Sequence, residues 1–423
     1  MSAAEQCVVT GIGMFSPVGR GAEEVFEALC AGKSGIRAIP AGHDLGDSLA
    51  FAGLAPEIAA AEVLPPSEGR LVDRYVLMAM AAADDALADA GLEVGRDVAP
   101  ERVAVVVSSG AGGLTTYESQ SLARVSRGRT AVSPYMLPGM LPNMAAARIA
   151  IKHGIRGYSS SIATACTAGA HAVAEAYRLI REDEADVVVC GGAESPLNAT
   201  SALAFGHARA LAQGWADPEQ ASRPFDRRRN GFVLAEGSGV LVIERAAHAE
   251  ARRAVGYADL TGWGATTDAF KPTTPRPDGS GAAGAMQKAV ARAGIALSDV
   301  GYVNAHGTST KIGDTAEARA IRAVFGSHAP AVSSTKGLTG HLLGGTGAIE
   351  AGIAAIALAK GLLPPTANLD EVDPECELDH VTGGPRAVRP TAVVSNSFAF
   401  GGHNVSLVFG PPSTSRRRYS EHG

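Results

Sequence analysis

Ser161-Ile162-Ala163-Thr164-Ala165-Cys166-Thr167-Ala168-Gly169 runs from apolar and small residues into one cysteine. Directly after it, Ala170, Val173, Ala174, Tyr177 and Ile180 recur at the spacing of one helix face, so Cys166 lies at or just before a helix N-terminus. Unpaired N–H groups and the positive dipole end at such a position favour a thiolate over a thiol, and the thiolate is the nucleophile. The competing reading is a buried, inert cysteine, as most free cysteines are.

Strand-like and helix-like stretches alternate on both sides of this unit. The chain opens with a short strand over 7–13 ending in a glycine turn, then a helix over 25–31. Residues 40–69, rich in Pro, Gly and Ala, are expected to form surface excursions. A long helix over 71–90 precedes a buried strand over 103–108 and a small-residue loop over 109–113. Residues 124–129 read as a basic, polar loop, and strands over 187–190 and 239–244 complete the first half. The second half has strands over 257–264, 300–304, 332–334, 393–396 and 405–409, with helices over 281–293 and 347–360. This alternation predicts an α/β architecture. Element order is similar in 1–255 and 256–412 although residue identity is weak, so two related halves packed as one domain are expected. The end, 413–423 with Arg416-Arg417-Arg418, reads as a frayed tail.

Composition narrows the class. The 423 residues are 46% hydrophobic and 19% charged with 51 glycines, which suits a globular enzyme, and a net charge of −6 gives no electrostatic footprint for nucleic acid. Cys7, Cys30, Cys166, Cys190 and Cys376 are scattered without a C-x-x-C, which fits neither a disulfide framework nor a zinc site and implies a reducing cytoplasm. The start, Met-Ser-Ala-Ala-Glu-Gln, lacks the pattern of a signal peptide. No apolar run reaches membrane-spanning length, and the stretch 348–359 carries Glu350, so a soluble protein is expected.

Three further motifs put polar groups at strand ends, where open α/β sheets place their chemistry. They are Asn304-Ala305-His306-Gly307-Thr308-Ser309-Thr310, Ser334-Thr335-Lys336-Gly337-Leu338-Thr339-Gly340-His341, and Ser397-Phe398-Ala399-Phe400-Gly401-Gly402-His403-Asn404. Each alone is weak. A lone histidine is more often structural, a glycine pair can be a bend, and no Walker or Rossmann spacing accompanies Gly401-Gly402. The combination of a helix-capping cysteine with two histidines on like elements carries the weight.

These four blocks resemble the signatures of the β-ketoacyl-acyl carrier protein synthases, above all the bacterial elongating synthases and the ketosynthase subunits of type II polyketide systems. The likeness spans nearly the whole chain. It implies the thiolase fold, a five-layer αβαβα arrangement of two duplicated halves. It also implies that Cys166 takes an acyl group from acyl carrier protein, and that His306 and His341 bind a malonyl thioester and promote its decarboxylation. The backbone N–H groups of Cys166 and Phe400 would form an oxyanion hole, with Gly401 and Gly402 in the gate turn. Lys336 paired with Glu350 would support the site, and Thr308 and Thr310 would bind the pantetheine arm. No metal or redox cofactor is implied. The partners implied are acyl carrier protein and a second subunit, either a copy of this chain or a chain-length-factor-like relative. Carrier proteins are acidic, so Arg124, Arg127, Arg129 and Arg209 are the docking candidates.

The chain departs from the family at His403 and Ala399 in the gate turn, at Lys271, where many elongating synthases carry histidine, and at Ala111, where the fatty acid enzymes tend to have isoleucine. A small residue at Ala111 widens the channel mouth unless a neighbour such as Phe205 fills the gap, and with Met136 placed to reach a partner's channel it favours a polyketide or polyene pathway, with housekeeping fatty acid elongation as the alternative. A degradative thiolase would need a second cysteine in a C-x-G turn, which Cys376 does not provide. A chalcone synthase would carry asparagine where His341 stands. A chain-length factor would lack the nucleophile, and a cysteine hydrolase leaves Lys336 and the two-histidine spacing unexplained.

Overall fold

The computed structural model describes residues 6–40, 45–46, 48–65, 68 and 72–419. Expectations for the first five residues, for Leu71, for parts of 40–69 and for 420–423 lie outside the described residues. The first half contributes β1 (Cys7–Ser16), β2 (Val103–Ser108), β3 (Ser159–Ser160), β4 (Val187–Glu194) and β5 (Gly237–Arg245). The second half contributes β6 (Ala258–Thr267), β7 (Val300–Asn304), β8 (Ala331–Ser333), β9 (Ala392–Phe398) and β10 (His403–Gly410). With Gly19–Arg20 and Asp379–His380 they form one 12-stranded sheet among the described residues.

Each half follows the same spatial order: first strand, fifth, fourth, second, third. The pairings match as well. The first–fifth and fifth–fourth contacts are antiparallel, while the fourth–second and second–third contacts are parallel. The halves join where β1 runs antiparallel to β6, with Val8 opposite Asp259.

Layering follows from alternation along the strands, since successive side chains point to opposite faces. Val103, Val105, Val107, Val187, Val189, Val240 and Val242 pack outward on α1 (Arg74–Ala90), with α3 (Met144–His153) in the same cluster; α2 (Leu114–Arg127) comes between the two helices in the chain. Ala104, Val106, Val188, Leu241 and Ile243 point inward to α4 (Ala168–Arg181). The second half packs outward on α5 (Ser280–Ala293) and α6 (Lys311–Phe325), and inward on α7 (Thr346–Lys360). The order is therefore αβαβα, with α4 and α7 as the shared middle layer. The window Leu343–Lys360 has the length and apolarity of a membrane span, but 83% of it is buried inside the protein between the two half-sheets.

The duplication is written in one short repeat. Thr10-Gly11-Ile12-Gly13 on β1 and Thr261-Gly262-Trp263-Gly264 on β6 each let a helix backbone rest directly on the strand. A Cβ on Gly13 would lie 1.9 Å from the Ala82 carbonyl oxygen of α1, and one on Gly264 2.1 Å from that of Ala285 on α5. No side chain fits either gap.

Several expectations need correction. β1 does not stop at a glycine turn but continues to Ser16, because its glycines serve packing rather than bending. The basic stretch 124–129 is not a loop: Arg124 and Arg127 occupy the last turn of α2, where cations complement the dipole, and Arg129 follows in a 3-10 turn. Within 40–69, Phe51–Gly53 is a buried strand paired with Ile36–Ala38. The tail does not fray as far as Tyr419: Arg416–Arg417 pairs with Val255–Gly256, Arg418 bonds Asp89, and the Tyr419 hydroxyl donates to Glu23 at 2.6 Å.

Candidate active site

Equivalent strands of the two halves deliver the polar groups. Cys166 follows β3, in the turn Ala165–Thr167 that leads into α4. His306 follows β7, while Lys336 and His341 follow β8. Phe400 follows β9 in a turn where Gly401 and Gly402 take positive φ of 84° and 74°.

These segments meet at one cavity of about 560 Å³. Cys166, His306, His341, Phe400, Thr308, Thr310, Ala111, Phe205 and Arg209 all line it. The two imidazoles stand edge to face with ring centroids 5.3 Å apart. Phe398 and Phe232 buttress them at 5.9 and 5.3 Å. Phe205 bridges Phe232 at 5.5 Å and the ring of Phe400 at 6.4 Å. Thr308 and Thr310 share a hydroxyl contact of 3.0 Å at the start of α6.

Lys336 and Glu350 stand behind this surface rather than on it. Both are 1% exposed, with Nζ 2.5 Å from Glu350 Oε1. Lys336 Nζ also donates to the carbonyl of His306. Burial pushes the Glu350 carboxyl up to about 7 against the pull of Lys336. Removing either partner of such a pair strands a buried charge.

Electrostatics overturn one expectation. Cys166 is half-buried as a residue, since one side of it faces the cavity, yet the surrounding protein desolvates its sulfur and pushes the thiol up to about 12. Glu194 adds to the rise. Lys336 and the backbone N–H groups of Cys166 itself and Phe400 oppose it without reversing it. The resting sulfur is a thiol, because desolvation outweighs the helix start. Both histidines are held well below their usual range, first by burial and then by Lys336, with His341 contributing at His306, so both are neutral. Thr346 Oγ1 sits 3.1 Å from His341 Nδ1, which leaves Nε2 for the cavity.

Some site candidates lie elsewhere. Met136 is half-buried in the short helix Met136–Met140 and does not reach this chain's cavity. Arg124, Arg127 and Arg129 are exposed and away from its lining, while Arg209 is exposed at its edge. Lys271 lies over the ring of Phe270 at 5.3 Å. His403 packs edge-on against His171 at 6.3 Å.

Two buried carboxylates escaped the sequence reading. Glu317 accepts from the N–H groups of His306 and Gly307 at 2.8 and 2.7 Å, and burial pushes it up to about 7. Glu194 accepts from Ser109, Gly110, Ala111 and Gly344. Its one signal is position: it ends a strand otherwise made of apolar and small residues.

Known proteins share this sequence and fold. Residues 4–249 match the β-ketoacyl synthase N-terminal domain and residues 257–370 the C-terminal domain. The chain is 43% identical to 3-oxoacyl-[acyl-carrier-protein] synthase 2 of Vibrio harveyi, covering 95% of this chain and 97% of that one. It is 40% identical to the protein of the same name from a Synechocystis strain, over 96% and 98%. Among solved structures, a β-ketoacyl synthase from Burkholderia phymatum superposes with a TM-score of 0.90 at 33% identity, over 96% of this chain and 99% of that one. A type II polyketide ketosynthase, solved with its acyl carrier protein, superposes at 0.89 and 29% identity, over 96% and 100%.

Proposed function

Since the chain belongs to the β-ketoacyl synthase family and is an acyltransferase of the 3-oxoacyl-acyl carrier protein synthase type, we propose that it joins an acyl group held on Cys166 to malonyl-acyl carrier protein by decarboxylative condensation. The observation that carries this reading is the convergence on one cavity of the Cys166 thiol, the Phe400 turn and two paired, neutral imidazoles.

Acyl transfer begins with a protonated thiol, and a neutral imidazole on the same cavity takes its proton as sulfur attacks the thioester carbonyl. The tetrahedral oxygen settles between the N–H groups of Cys166 and Phe400, and the carrier thiol leaves. Malonyl thioester then binds with its carbonyl oxygen against His306 and His341. Loss of CO2 leaves an enolate, which neutral N–H donors stabilise without a strong base. The enolate carbon attacks the acyl carbonyl, Cys166 departs, and the chain has grown by two carbons. No metal or redox cofactor enters this scheme.

For the pathway, the relatives favour the alternative over the polyketide reading: proteins named 3-oxoacyl-[acyl-carrier-protein] synthase 2 are 40–43% identical, against 29% for the polyketide ketosynthase. We therefore favour elongation of fatty acyl chains. Incubating the enzyme with a panel of acyl-carrier proteins and weighing the intact chain tests both levels: no adduct on Cys166 overturns the function, and labelling only by polyketide intermediates overturns the pathway.

Ala111 lines the cavity yet is exposed, so this chain alone leaves that wall open. Beside it, Gly113 N donates to the Met140 carbonyl of the helix that bears exposed Leu137. Tyr117, Tyr135 and Leu141 are also exposed nearby in the chain. A second subunit, a copy or a chain-length-factor-like relative, is the proposed cover. Ala111→Ile adds three carbons at this wall. Acylation by long chains should fall by up to about 1–3 kcal/mol of lost transition-state stabilisation while short chains are spared. Equal rates across chain lengths in both enzymes would remove Ala111 from specificity.

Arg209 takes a left-handed φ of 55° at the cavity edge, where an acidic carrier would deliver its pantetheine arm. Arg209→Glu should raise KM for acyl-acyl carrier protein and leave a free pantetheine thioester unaffected. Loss on both substrates would instead mark a damaged fold.

A further inference from the structure

Glu194, the last residue of β4, lines the cavity with Cys166 but takes no part in the proposed reaction. It is 1% exposed. Four donors converge on it: Ser109 Oγ at 2.7 Å, Gly110 N at 2.6 Å, Ala111 N at 3.2 Å and Gly344 N at 3.1 Å. Gly112 N donates to Ser109 Oγ at 2.8 Å, which turns the hydroxyl proton toward the carboxylate. Four donors and no acceptor suit an ionised group.

The donors come from both halves. Ser109–Ala111 belongs to the wall of the proposed acyl chamber. Gly344 belongs to the turn Leu343–Gly345, which starts two residues after His341 and leads into α7. That turn repeats the one bearing the nucleophile. Ala165 has φ 52° and Leu343 φ 45°, each followed by two residues and then a helix, so Gly344 stands where Cys166 stands in the first half. The packing there is tight: a Cβ on Gly344 would lie 2.4 Å from Glu194 Oε2, and one on Gly110 2.7 Å from it.

We propose that Glu194 is a positioning residue, clamping the acyl-chamber wall at Ser109–Ala111 and the His341-proximal turn at Gly344 to one carboxylate and so fixing both against Cys166. The proposal deepens the reading that Cys166 is acylated and rests on it. The clamp also sets a negative charge beside the thiol. The other charged or titratable groups around this cavity are Lys336, His306, His341, Asp268, Arg209 and Lys311.

Glu194→Gln in the full-length enzyme tests it. The amide keeps the size but offers one acceptor oxygen and turns an NH2 group on donors. Removing the charge favours the thiolate, so iodoacetamide alkylation of Cys166, followed by intact mass, should shift to lower pH. Acylation of Cys166 by an acyl-pantetheine thioester should fall about 10- to 100-fold, while decarboxylation of a malonyl thioester, touched through the single donor at Gly344, should fall by less. Either readout left unmoved overturns the proposal. A wild type that alkylates but accepts no acyl group overturns the function reading instead. Should Glu194→Gln not fold, Ser109→Ala removes one donor only. It should raise KM for the acyl thioester and spare malonyl decarboxylation, and wild-type kinetics in that variant overturn the clamp.

Discussion

Replacing Cys166 with alanine lowers condensation by about 10⁴-fold or more and leaves the fold intact. Only one sulfur is removed, from a residue that is already half-buried beside a cavity, so little packing is lost. The Phe400 turn, the paired imidazoles and the Lys336–Glu350 pair behind them remain in place. Condensation at an undiminished rate in this variant would sink the assignment of Cys166. Cys166→Gln should likewise stop acyl transfer, yet malonyl decarboxylation should continue, since His306 and His341, the proposed malonyl-binding pair, are untouched. Trapping CO2 released from malonyl thioester separates the two steps. Loss of both in Cys166→Gln would show that the cysteine also positions the malonyl group.

A second large effect concerns stability. Gly13→Ala places a methyl 1.9 Å from a helix carbonyl, with neighbouring backbone atoms of Ala82 and Ala86 at 2.8 Å. Backbone on both sides cannot move aside as a side-chain tip can, so the cost is about 3 kcal/mol or more, at the top of the range for overpacked cores. The contrasting substitution is Gly284→Ala, inside α5, whose new methyl would meet only Thr266 Cγ2 at an ordinary 3.4 Å. Removing glycine's backbone entropy there stabilises by about 0.5–1 kcal/mol. Thermal denaturation of both variants should move Tm in opposite directions. A Gly13→Ala protein as stable as the wild type would mean that β1 and α1 are not in backbone contact.

Much of this architecture can be read along the chain. The apolar runs of β2 and β7 mark strands buried on both faces, and glycines close α1 and α5 at Gly91 and Gly294. The unpredicted helix α6 shows where such reading fails. Its buried face carries Asp314, Thr315 and Glu317, so the apolar period that would announce it is interrupted by polar groups bound to backbone N–H of Phe225, Ser309, His306 and Gly307. The same blindness hides Glu194. A buried carboxylate is indistinguishable in sequence from a solvated one until its donors, 85 residues before it and 150 after, are folded around it. Cys166 fails differently: its helix-start position was legible, but the desolvation that keeps it protonated depends on walls from distant segments.

The shared strand order also sets a timetable for synthesis. The fifth strand of each half closes against its first, so Thr10 of β1 waits for Val242 of β5, 232 residues later. At ribosomal speeds that wait lasts about 10–50 s, during which β1 has neither of its main neighbours in the sheet. Its second edge waits longer still, for β6. Contacts this distant in sequence make for slow folding, and an apolar strand with open edges is what chaperones bind. A chain cut anywhere before Gly237 lacks the strand that seals its first half, and is left a chaperone client rather than a smaller protein.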